Sequence, residues 1–154
     1  MCYMIRKAEI GDLDAIRELN YKLFDLEFHN FNPALNMKWT YSEKGEKYFK
    51  DVIEKGTVWV AVDNQKVIGY LAGIICGRSS YKINTLAEID NIFVDEKYRG
   101  KGIGKKLVSE FKKYCINNKI EEIKVTTNAL NTNARGFYEN NGFKDFEATY
   151  KMKL

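Results

Sequence analysis

A glycine-rich turn between a strand-like and a helix-like segment limits the folds open to this sequence more than any other feature. Ala87–Val94 predicts a strand, and Gly102–Asn117 predicts a helix that begins only eight residues later. The first turn of a helix carries unpaired N–H groups and the positive end of the helix dipole, and glycines let a ligand approach the backbone. The turn, Arg99-Gly100-Lys101-Gly102-Ile103-Gly104, therefore predicts a phosphate site. Positive charge at the same end comes from Arg99, Lys101 and Lys105 or Lys106.

The spacing of these glycines excludes two common phosphate-binding motifs. A P-loop, G-x-x-x-x-G-K-[ST], would need a glycine where the chain has Lys105 or Leu107. The third glycine of the dinucleotide fingerprint G-x-G-x-x-G falls on the same two residues. The remaining alternative is a purely structural turn. Three glycines at alternate positions would destabilise a structural helix start more than one would, so we favour the phosphate site.

Composition excludes several other classes of protein. The chain has 154 residues, 45% of them hydrophobic and without a low-complexity tract, so we expect one compact domain spanning residues 1–154. Its cysteines (Cys2, Cys76 and Cys115) form no C-x-x-C pair and His29 is the single histidine, so we expect neither a disulfide framework nor a metal site. The longest apolar run, Val67–Cys76, is half a membrane span, and the first residues resemble no export signal. We therefore expect a cytoplasmic protein with no membrane partner.

Hydrophobic periodicity predicts strands and helices in a mixed order along the chain. The predicted strands are Tyr3–Lys7, Val58–Val62, Val67–Cys76, Ala87–Val94, Ile123–Thr127 and Phe146–Lys153, with a hairpin turn at Asp63-Asn64-Gln65-Lys66 between the second and the third. Helices are predicted after the caps Asp12 and Ser42, at Gly102–Asn117 and at Thr132–Asn140, with Phe28–Tyr41 as an aromatic loop. The order is strand, two helices, three strands, helix, strand, helix, strand. It predicts an α/β sandwich with a mixed sheet.

Two segments together resemble the GNAT superfamily of acyl-CoA-dependent N-acetyltransferases. Arg99-Gly100-Lys101-Gly102-Ile103-Gly104 fits its Q/R-x-x-G-x-G/A motif, and Asn131-x-x-Ala134-x-x-Phe137-Tyr138-x-x-x-Gly142-Phe143 is similar to its second signature. The resemblance covers most of the chain. It implies a single-domain sandwich with a mixed, mostly antiparallel sheet, a splayed central strand pair and helices on both faces. Family members commonly end in a two-stranded hairpin, but only twelve residues follow Gly142, so a reduced or missing hairpin is expected.

The resemblance also implies a binding site for acetyl-CoA as the acyl donor. The glycine turn would hold the pyrophosphate, the backbone at the end of the preceding strand would pair with the pantetheine arm, and Asn131 would bind that arm from the other side. The residues assigned in this way are Ile92, Phe93, Val94, Arg99, Gly100, Lys101, Gly102, Ile103, Gly104, Lys105 and Asn131.

Acetyl transfer to an amine requires a base and an acid. Glu88 and Asp90 are the candidates for the base, and a water chain is the alternative; strand alternation places both on one face with Ile92. Glu88 ranks first because it lies eleven residues before Arg99, a spacing found in some family members. For either acid, the competing role is a surface salt bridge or an anchor for the amine. Tyr138 is the expected acid for the leaving CoA thiolate.

The acceptor is expected to be a primary amine on a small molecule or a peptide. Asp25, Glu27 and Asp90 could attract its positive charge, and the family builds its acceptor pocket near Phe28–Tyr41 and Arg78–Leu86. A non-catalytic acyl-CoA sensor is one alternative. A nucleic-acid-binding module is a weaker one, because the resemblance of Arg135-Gly136-Phe137-Tyr138 to an RNA-recognition signature ends at Glu139. We expect no nucleic-acid partner, and the sequence is compatible with a homodimer.

Overall fold

The computed structural model describes residues 2–78 and 80–154. Its five strands form one sheet in the order β1-β2-β3-β4-β5. The strands are β1 (Tyr3–Lys7), β2 (Val58–Asp63), β3 (Lys66–Gly77), β4 (Leu86–Val94) and β5 (Glu122–Val125). The helices are α1 (Leu13–Asn30), α2 (Glu43–Glu54), α3 (Ile103–Asn117) and α4 (Thr132–Asn140), with short 3₁₀ turns at Ile10–Asp12, Trp39–Tyr41 and Glu96–Tyr98.

Strands β1 to β4 pair antiparallel, and β5 pairs parallel to β4. Strands β2 and β3 are joined by Asn64 and Gln65, both in the left-handed region with φ of 47° and 65°. Two such residues give the tight hairpin turn whose twist matches that of the strands. The hairpin predicted at this position is confirmed, and so is the mixed, mostly antiparallel sheet.

Helices cover both faces of the sheet, as expected. On one face α1 and α2 pack over a buried cluster that includes Ile16, Phe49 and Tyr70, and on the other face α3 packs over Leu71 and Ile89. Within the described part of the chain, no helix combines the length and the apolar character that a bilayer crossing demands.

Two helix boundaries show what the sequence could and could not predict. Ser42 caps α2 as expected, because its Oγ accepts a hydrogen bond from the N–H of Gly45 at 3.2 Å. Asp12 precedes α1 but makes no side-chain cap. Its carboxylate instead accepts two hydrogen bonds from the guanidinium of Arg6, at 2.7 and 3.0 Å. Helix α1 also continues to Asn30, so the prediction that the aromatic loop begins at Phe28 is wrong.

The predicted last strand, Phe146–Lys153, is wrong. Residues 143–154 follow α4 without entering the sheet, and their large apolar side chains are exposed, 84% for Phe146 and 94% for Tyr150. Apolar and polar residues alternate there as in a strand, but alternation cannot form a strand without a neighbouring strand to pair with. The expectation of a reduced or missing final hairpin is confirmed for the described residues. As a result, the β4–β5 pair lies at the edge of the sheet and not at its centre.

A β-bulge in β4 changes which side chains share a face. Ala72 of β3 faces Asn91, but the next residue, Gly73, faces Ile89, so that Asp90 is an extra residue in β4. The prediction that alternation places Ile92 on one face with Glu88 and Asp90 is therefore wrong. Ile92 packs instead in the α3-side cluster with Ile89.

Candidate active site

A cavity of about 260 Å³ lies where β4 and β5 separate. The two strands pair only where Leu86–Ile89 of β4 lies beside Glu122–Val125 of β5. The second half of β4 therefore has no partner on that side among the described residues. The splayed strand pair expected from the resemblance is thus present. The cavity is lined by side chains of α1, β4 and α4 and by the segment after β5, including Glu27, Asp90, Asn91, Asn131 and Tyr138.

The glycine turn leads from the end of β4 into α3. Gly100 and Gly102 have φ of 75° and 76°, and a Cβ added at either would have no atom within 4 Å. Both positions therefore need glycine for their left-handed backbone, and the space beside them is open. The first backbone hydrogen bond of the helix runs from the N–H of Lys106 to the carbonyl of Gly102 at 3.1 Å, and the amides of residues 103–105 therefore have no intrahelical acceptor. This geometry fits a phosphate group.

Gly104 has a different reason to be glycine. A Cβ there would lie 3.1 Å from two ring carbons of Phe137 on α4. The glycine therefore lets α4 pack against the start of α3, and Phe137 lies close to the turn.

The other residues predicted to bind the cofactor differ in what they offer. Lys101 and Lys105 are exposed beside the turn, whereas the side chain of Ile103 is buried in the core, so that only its amide can reach a ligand. The guanidinium of Arg99 donates from Nε to the carbonyl of Val94 at 2.9 Å and lies 5.0 Å from the ring centre of Phe93. Arg99 thus holds the end of β4 in the present structure.

A salt bridge ties the turn to α1. The carboxylate of Asp95, buried just before the turn, accepts from the ammonium of Lys22 at 2.9 Å and from the N–H of Lys97 at 3.1 Å. The hydrogen bond from Lys22 outweighs burial and lowers the pKa of Asp95. The acid is therefore ionised throughout the neutral range, and the salt bridge persists there.

Two residues of α4 that the resemblance implicates face the cavity. Asn131 caps α4, because its Oδ1 accepts from the N–H of Ala134 at 3.0 Å. This bond fixes the side chain and leaves its amide nitrogen to donate to a ligand. Tyr138 is half-buried and its ring lies between those of Phe137 and Phe143, at 5.3 and 5.7 Å. Burial, with a smaller contribution from the charge of Glu27, raises the pKa of Tyr138 to about 12. The phenol is thus protonated at neutral pH and can donate.

The structure separates the two predicted bases. Glu88 lies opposite Lys124 in the parallel register, its carboxylate 3.4 Å from the ammonium, and it is absent from the cavity lining. Asp90 lines the cavity and accepts hydrogen bonds from the hydroxyl of Tyr48 and, at 3.0 Å, from the amide of Asn91. The structure therefore brings Asp90, Asn131 and Tyr138 together and places Glu88 outside the cavity.

Two polar residues of the cavity carry more weight in the structure than sequence reasoning gave them. Glu27 is half-buried, and among the described residues no hydrogen bond or salt bridge reaches its carboxylate. Burial raises its pKa. Asn91 has a fully buried Oδ1 without a partner in the part of the chain that the structure describes. The sequence analysis named Glu27 together with Asp25 and Asp90; helical spacing could have separated it from Asp25, because Glu27 lies four residues after Leu23 on the inner face of α1.

Most of the chain matches a known protein family and its members. A family model described as an acetyltransferase (GNAT) domain matches residues 54–145. An uncharacterised N-acetyltransferase of Methanocaldococcus jannaschii is 29% identical over 149 residues, which are 94% of this chain and 62% of the relative. The N-alpha-acetyltransferase 30 of Schizosaccharomyces pombe is 32% identical over 97 residues, which are 62% of this chain and 63% of the relative. The chain thus spans just under two thirds of the length of these two relatives.

Solved structures share the fold. The PaiA N-acetyltransferase of Thermoplasma acidophilum, determined in complex with coenzyme A, has a TM-score of 0.82 at 22% identity, with 97% of this chain and 94% of that chain covered. The structure of AAC(6')-Iy in complex with the bisubstrate analogue CoA-S-monomethyl-acetylneamine has a TM-score of 0.77 at 16% identity, with 100% and 99% covered. At these identities the similarity establishes the architecture, in agreement with the α/β sandwich expected from the sequence.

Proposed function

Because the chain belongs to the GNAT acetyltransferase family, we propose that it transfers an acetyl group from acetyl-CoA to a primary amine by direct attack in a ternary complex. The observation that carries the proposal is the position of the glycine turn. The turn lies at the end of β4, next to the gap between β4 and β5, and Tyr138 lines the cavity in that gap. A thioester held between the turn and the gap would have its reactive end beside this hydroxyl.

Acetyl-CoA would be held mainly by backbone groups. The amides of residues 103–105 and the open backbone at Gly100 and Gly102 suit the pyrophosphate, with Lys101 and Lys105 adding charge. The free edge of β4, at residues 92–94, suits the amides of the pantetheine arm, and Asn131 can donate from the opposite side. A backbone N–H of the same edge is the group we assign to the thioester oxygen, because fixed dipoles stabilise an oxyanion most effectively.

The acceptor must lose a proton before it attacks. An alkylamine with a pKa of about 10.4 requires roughly 4 to 5 kcal/mol to reach its neutral form at pH 7, so a base in or near the cavity lowers the barrier. Glu88 and Asp90 remain proposals for this role. The position of Asp90 in the cavity lining supports Asp90, whereas Glu88 could act only through intervening water.

Tyr138 is the group we assign to protonation of the departing thiolate. With a pKa of about 12, complete transfer to a thiolate of pKa about 8.5 would cost about 5 kcal/mol. The cost is avoided if the phenol gives its proton to sulfur as it regains one from the nitrogen of the new amide. Tyr138 then ends the cycle unchanged, and the one net proton leaves through the base.

An assay of thiol release tests the proposal. The protein is incubated with acetyl-CoA and a panel of primary alkylamines, arylamines and peptides, and free CoA is measured with and without acceptor. We expect amine-dependent release together with an acetylated amine detected by mass spectrometry. Binding of acetyl-CoA without release for any amine would identify a non-catalytic sensor, and absence of binding would refute the assignment. The absence of a metal requirement, of nucleic-acid and membrane partners, and the cytoplasmic location stay predictions.

A further inference from the structure

One acidic side chain of the cavity, Glu27, has no hydrogen-bond or salt-bridge partner among the described residues. Asp90 is engaged by Tyr48 and Asn91, and Asp25, two residues before Glu27 on α1, lies 3.3 Å from His29 and outside the cavity lining. Glu27 has no such neighbour among the described side chains although it is half-buried. A carboxylate in this position is stabilised when a cation enters the cavity.

Asn91 adds an acceptor atom with a defined orientation. Its amide nitrogen donates to the hydroxyl of Tyr48 at 3.2 Å and to Asp90 at 3.0 Å, which fixes the side chain. The opposite atom, Oδ1, is buried and unpartnered among the described residues. A buried carbonyl oxygen requires a donor, and since Asn91 lines the cavity, a ligand whose second N–H displaces the atoms that cover Oδ1 meets this requirement.

The remaining wall of this part of the cavity is apolar. Leu23 and Phe24 of α1 line it together with Trp39, and the rings of Phe24 and Trp39 stack with centres 5.7 Å apart. The volume of about 260 Å³ lies below the range of roughly 300 to 1,000 Å³ typical of drug-sized ligands. The end of the thioester must share this volume. The space therefore suits a single aminoalkyl end, and the rest of a larger acceptor would lie outside it.

We propose that Glu27 and Asn91 bind the acceptor as a primary alkylammonium and that Glu27 takes its proton in place of Asp90, whose carboxylate already accepts from Tyr48 and Asn91. The inference rests on the proposed acetyl transfer. One N–H⁺ of the ammonium gives its proton to the Glu27 carboxylate, a second N–H donates to Asn91 Oδ1, and the alkyl arm lies against Phe24 and Trp39. The freed lone pair forms the bond to the thioester carbon, and the C–S pair leaves on sulfur. Tyr138 gives its proton to that sulfur and regains one from the nitrogen of the new amide, and Glu27 releases its proton to water after the product departs.

A pH profile distinguishes this role from a structural one. The groups facing Glu27 are Tyr138 of α4, Tyr70 of β3 and Asp90 of β4, of which both tyrosines stay neutral through the range. With n-hexylamine as the acceptor between pH 6 and 9.5, the wild type should show a plateau in kcat/KM, because it uses the abundant ammonium. The Glu27→Gln variant can use only the neutral amine, so its kcat/KM should rise about tenfold per pH unit. At pH 7 its kcat/KM should be about 10³-fold lower than that of the wild type.

Matched variants complete the experiment. Asp25→Asn removes a carboxylate of the same helix outside the cavity and should behave as the wild type, and Glu27→Asp should recover part of the loss at pH 7 with the plateau restored. The same pH profile is measured with N-acetyl-lysine methylamide as the acceptor. Comparing its kcat/KM with that of n-hexylamine separates a protein substrate from a small amine. Should Glu27→Gln keep the rate and the plateau while the wild type remains active, this inference fails and the proposed function stands. Should the wild type release no CoA with any amine, the proposed function itself fails.

Binding without turnover gives an independent readout. In the presence of CoA, which carries no acetyl group, n-hexylamine is titrated while the fluorescence of Trp39 is followed; Trp59 lies in the opposite core. We expect Glu27→Gln to weaken binding at least tenfold at pH 7. N,N-dimethylhexylamine has a single N–H⁺ and should bind the wild type at least tenfold more weakly than n-hexylamine. Equal binding of the two amines would remove Asn91 from the acceptor site.

Discussion

Gly102 and Gly104 lie in one turn, but each is glycine for its own physical reason. Gly102 has a left-handed backbone with open space beside it, whereas Gly104 makes room for the ring of Phe137. Only the first of these matches the expectation that the turn needs glycine so that a phosphate can approach. The two positions therefore predict different consequences of substitution.

Gly102→Val should abolish the binding of CoA, because the branched side chain fills the space that a phosphate would need. Valine also disfavours a positive φ, so a matched control is required. Gly77→Val serves, since Gly77 has φ of 65° and open space but lies at the end of β3, away from the turn. Calorimetry should show more than a hundredfold loss of CoA affinity for Gly102→Val and none for Gly77→Val. Equal affinities in both variants would place the pyrophosphate elsewhere.

Tyr138→Phe tests the proposed acid. Removing the hydroxyl should lower kcat by about 10²- to 10⁴-fold, the usual contribution of general acid catalysis. The affinity for CoA should change less than twofold, because the ring and its packing against Phe137 and Phe143 remain. Tyr150→Phe, at a side chain that is 94% exposed, is the control. An unchanged kcat in the first variant would exclude Tyr138 from proton transfer.

At the scale of the elements, the Arg6–Asp12 pair joins β1 to the start of α1. Burial alone would raise the pKa of Asp12, but hydrogen bonds from Arg6 and from the N–H of Glu9 outweigh it and lower the pKa. A lowered pKa contributes stability above the unfolded value of about 3.9, and the contribution is lost as the pH falls through the folded value. The pair therefore stabilises the protein at neutral pH and ceases to do so in acid.

Asp12→Asn should lower the free energy of unfolding at pH 7 by about 1 to 3 kcal/mol, because the guanidinium of Arg6 loses its charged partner. Near pH 3 the difference from the wild type should shrink. Urea denaturation at both pH values measures it, with Asp14→Asn, at a carboxylate that is 96% exposed, as the control. A difference that is independent of pH would contradict the assigned linkage.

Local signals in the sequence predicted the elements well wherever the elements depend on local chemistry. The cap at Ser42, the turn at Asn64 and Gln65 and the period of α3 follow from side chains close in sequence. The bulge at Asp90 does not, because it depends on how β4 aligns with β3. For the same reason the salt bridge between Glu88 and Lys124 could not be predicted, because it depends on β5 lying beside β4. Spacing alone ranked Glu88 first, and cross-strand geometry places it outside the cavity.

At the scale of the whole molecule, the segment after α4 contributes little to the core. Deleting residues 147–154 should change the free energy of unfolding by less than about 0.5 kcal/mol, because the removed side chains bury almost no apolar area. Deleting residues 143–154 also removes Phe143, which packs against Tyr138 and the α3-side core, and should destabilise the protein by about 2 kcal/mol or more. Thermal and urea denaturation of both truncated forms measures the two changes in the free energy of unfolding. Equal destabilisation would mean that residues 147–154 also pack against the core.

Helix α1 reaches both of the places where substrates are proposed to bind. Lys22 holds Asp95 just before the glycine turn, and Glu27, five residues further along the same helix, faces the cavity. If binding of the acyl donor shifts this helix, the carboxylate of Glu27, which is proposed to bind the amine, moves with it. Thermodynamic reciprocity then requires the amine to alter donor affinity by the same factor, so the two ligands should show cooperativity of one sign whichever enters first.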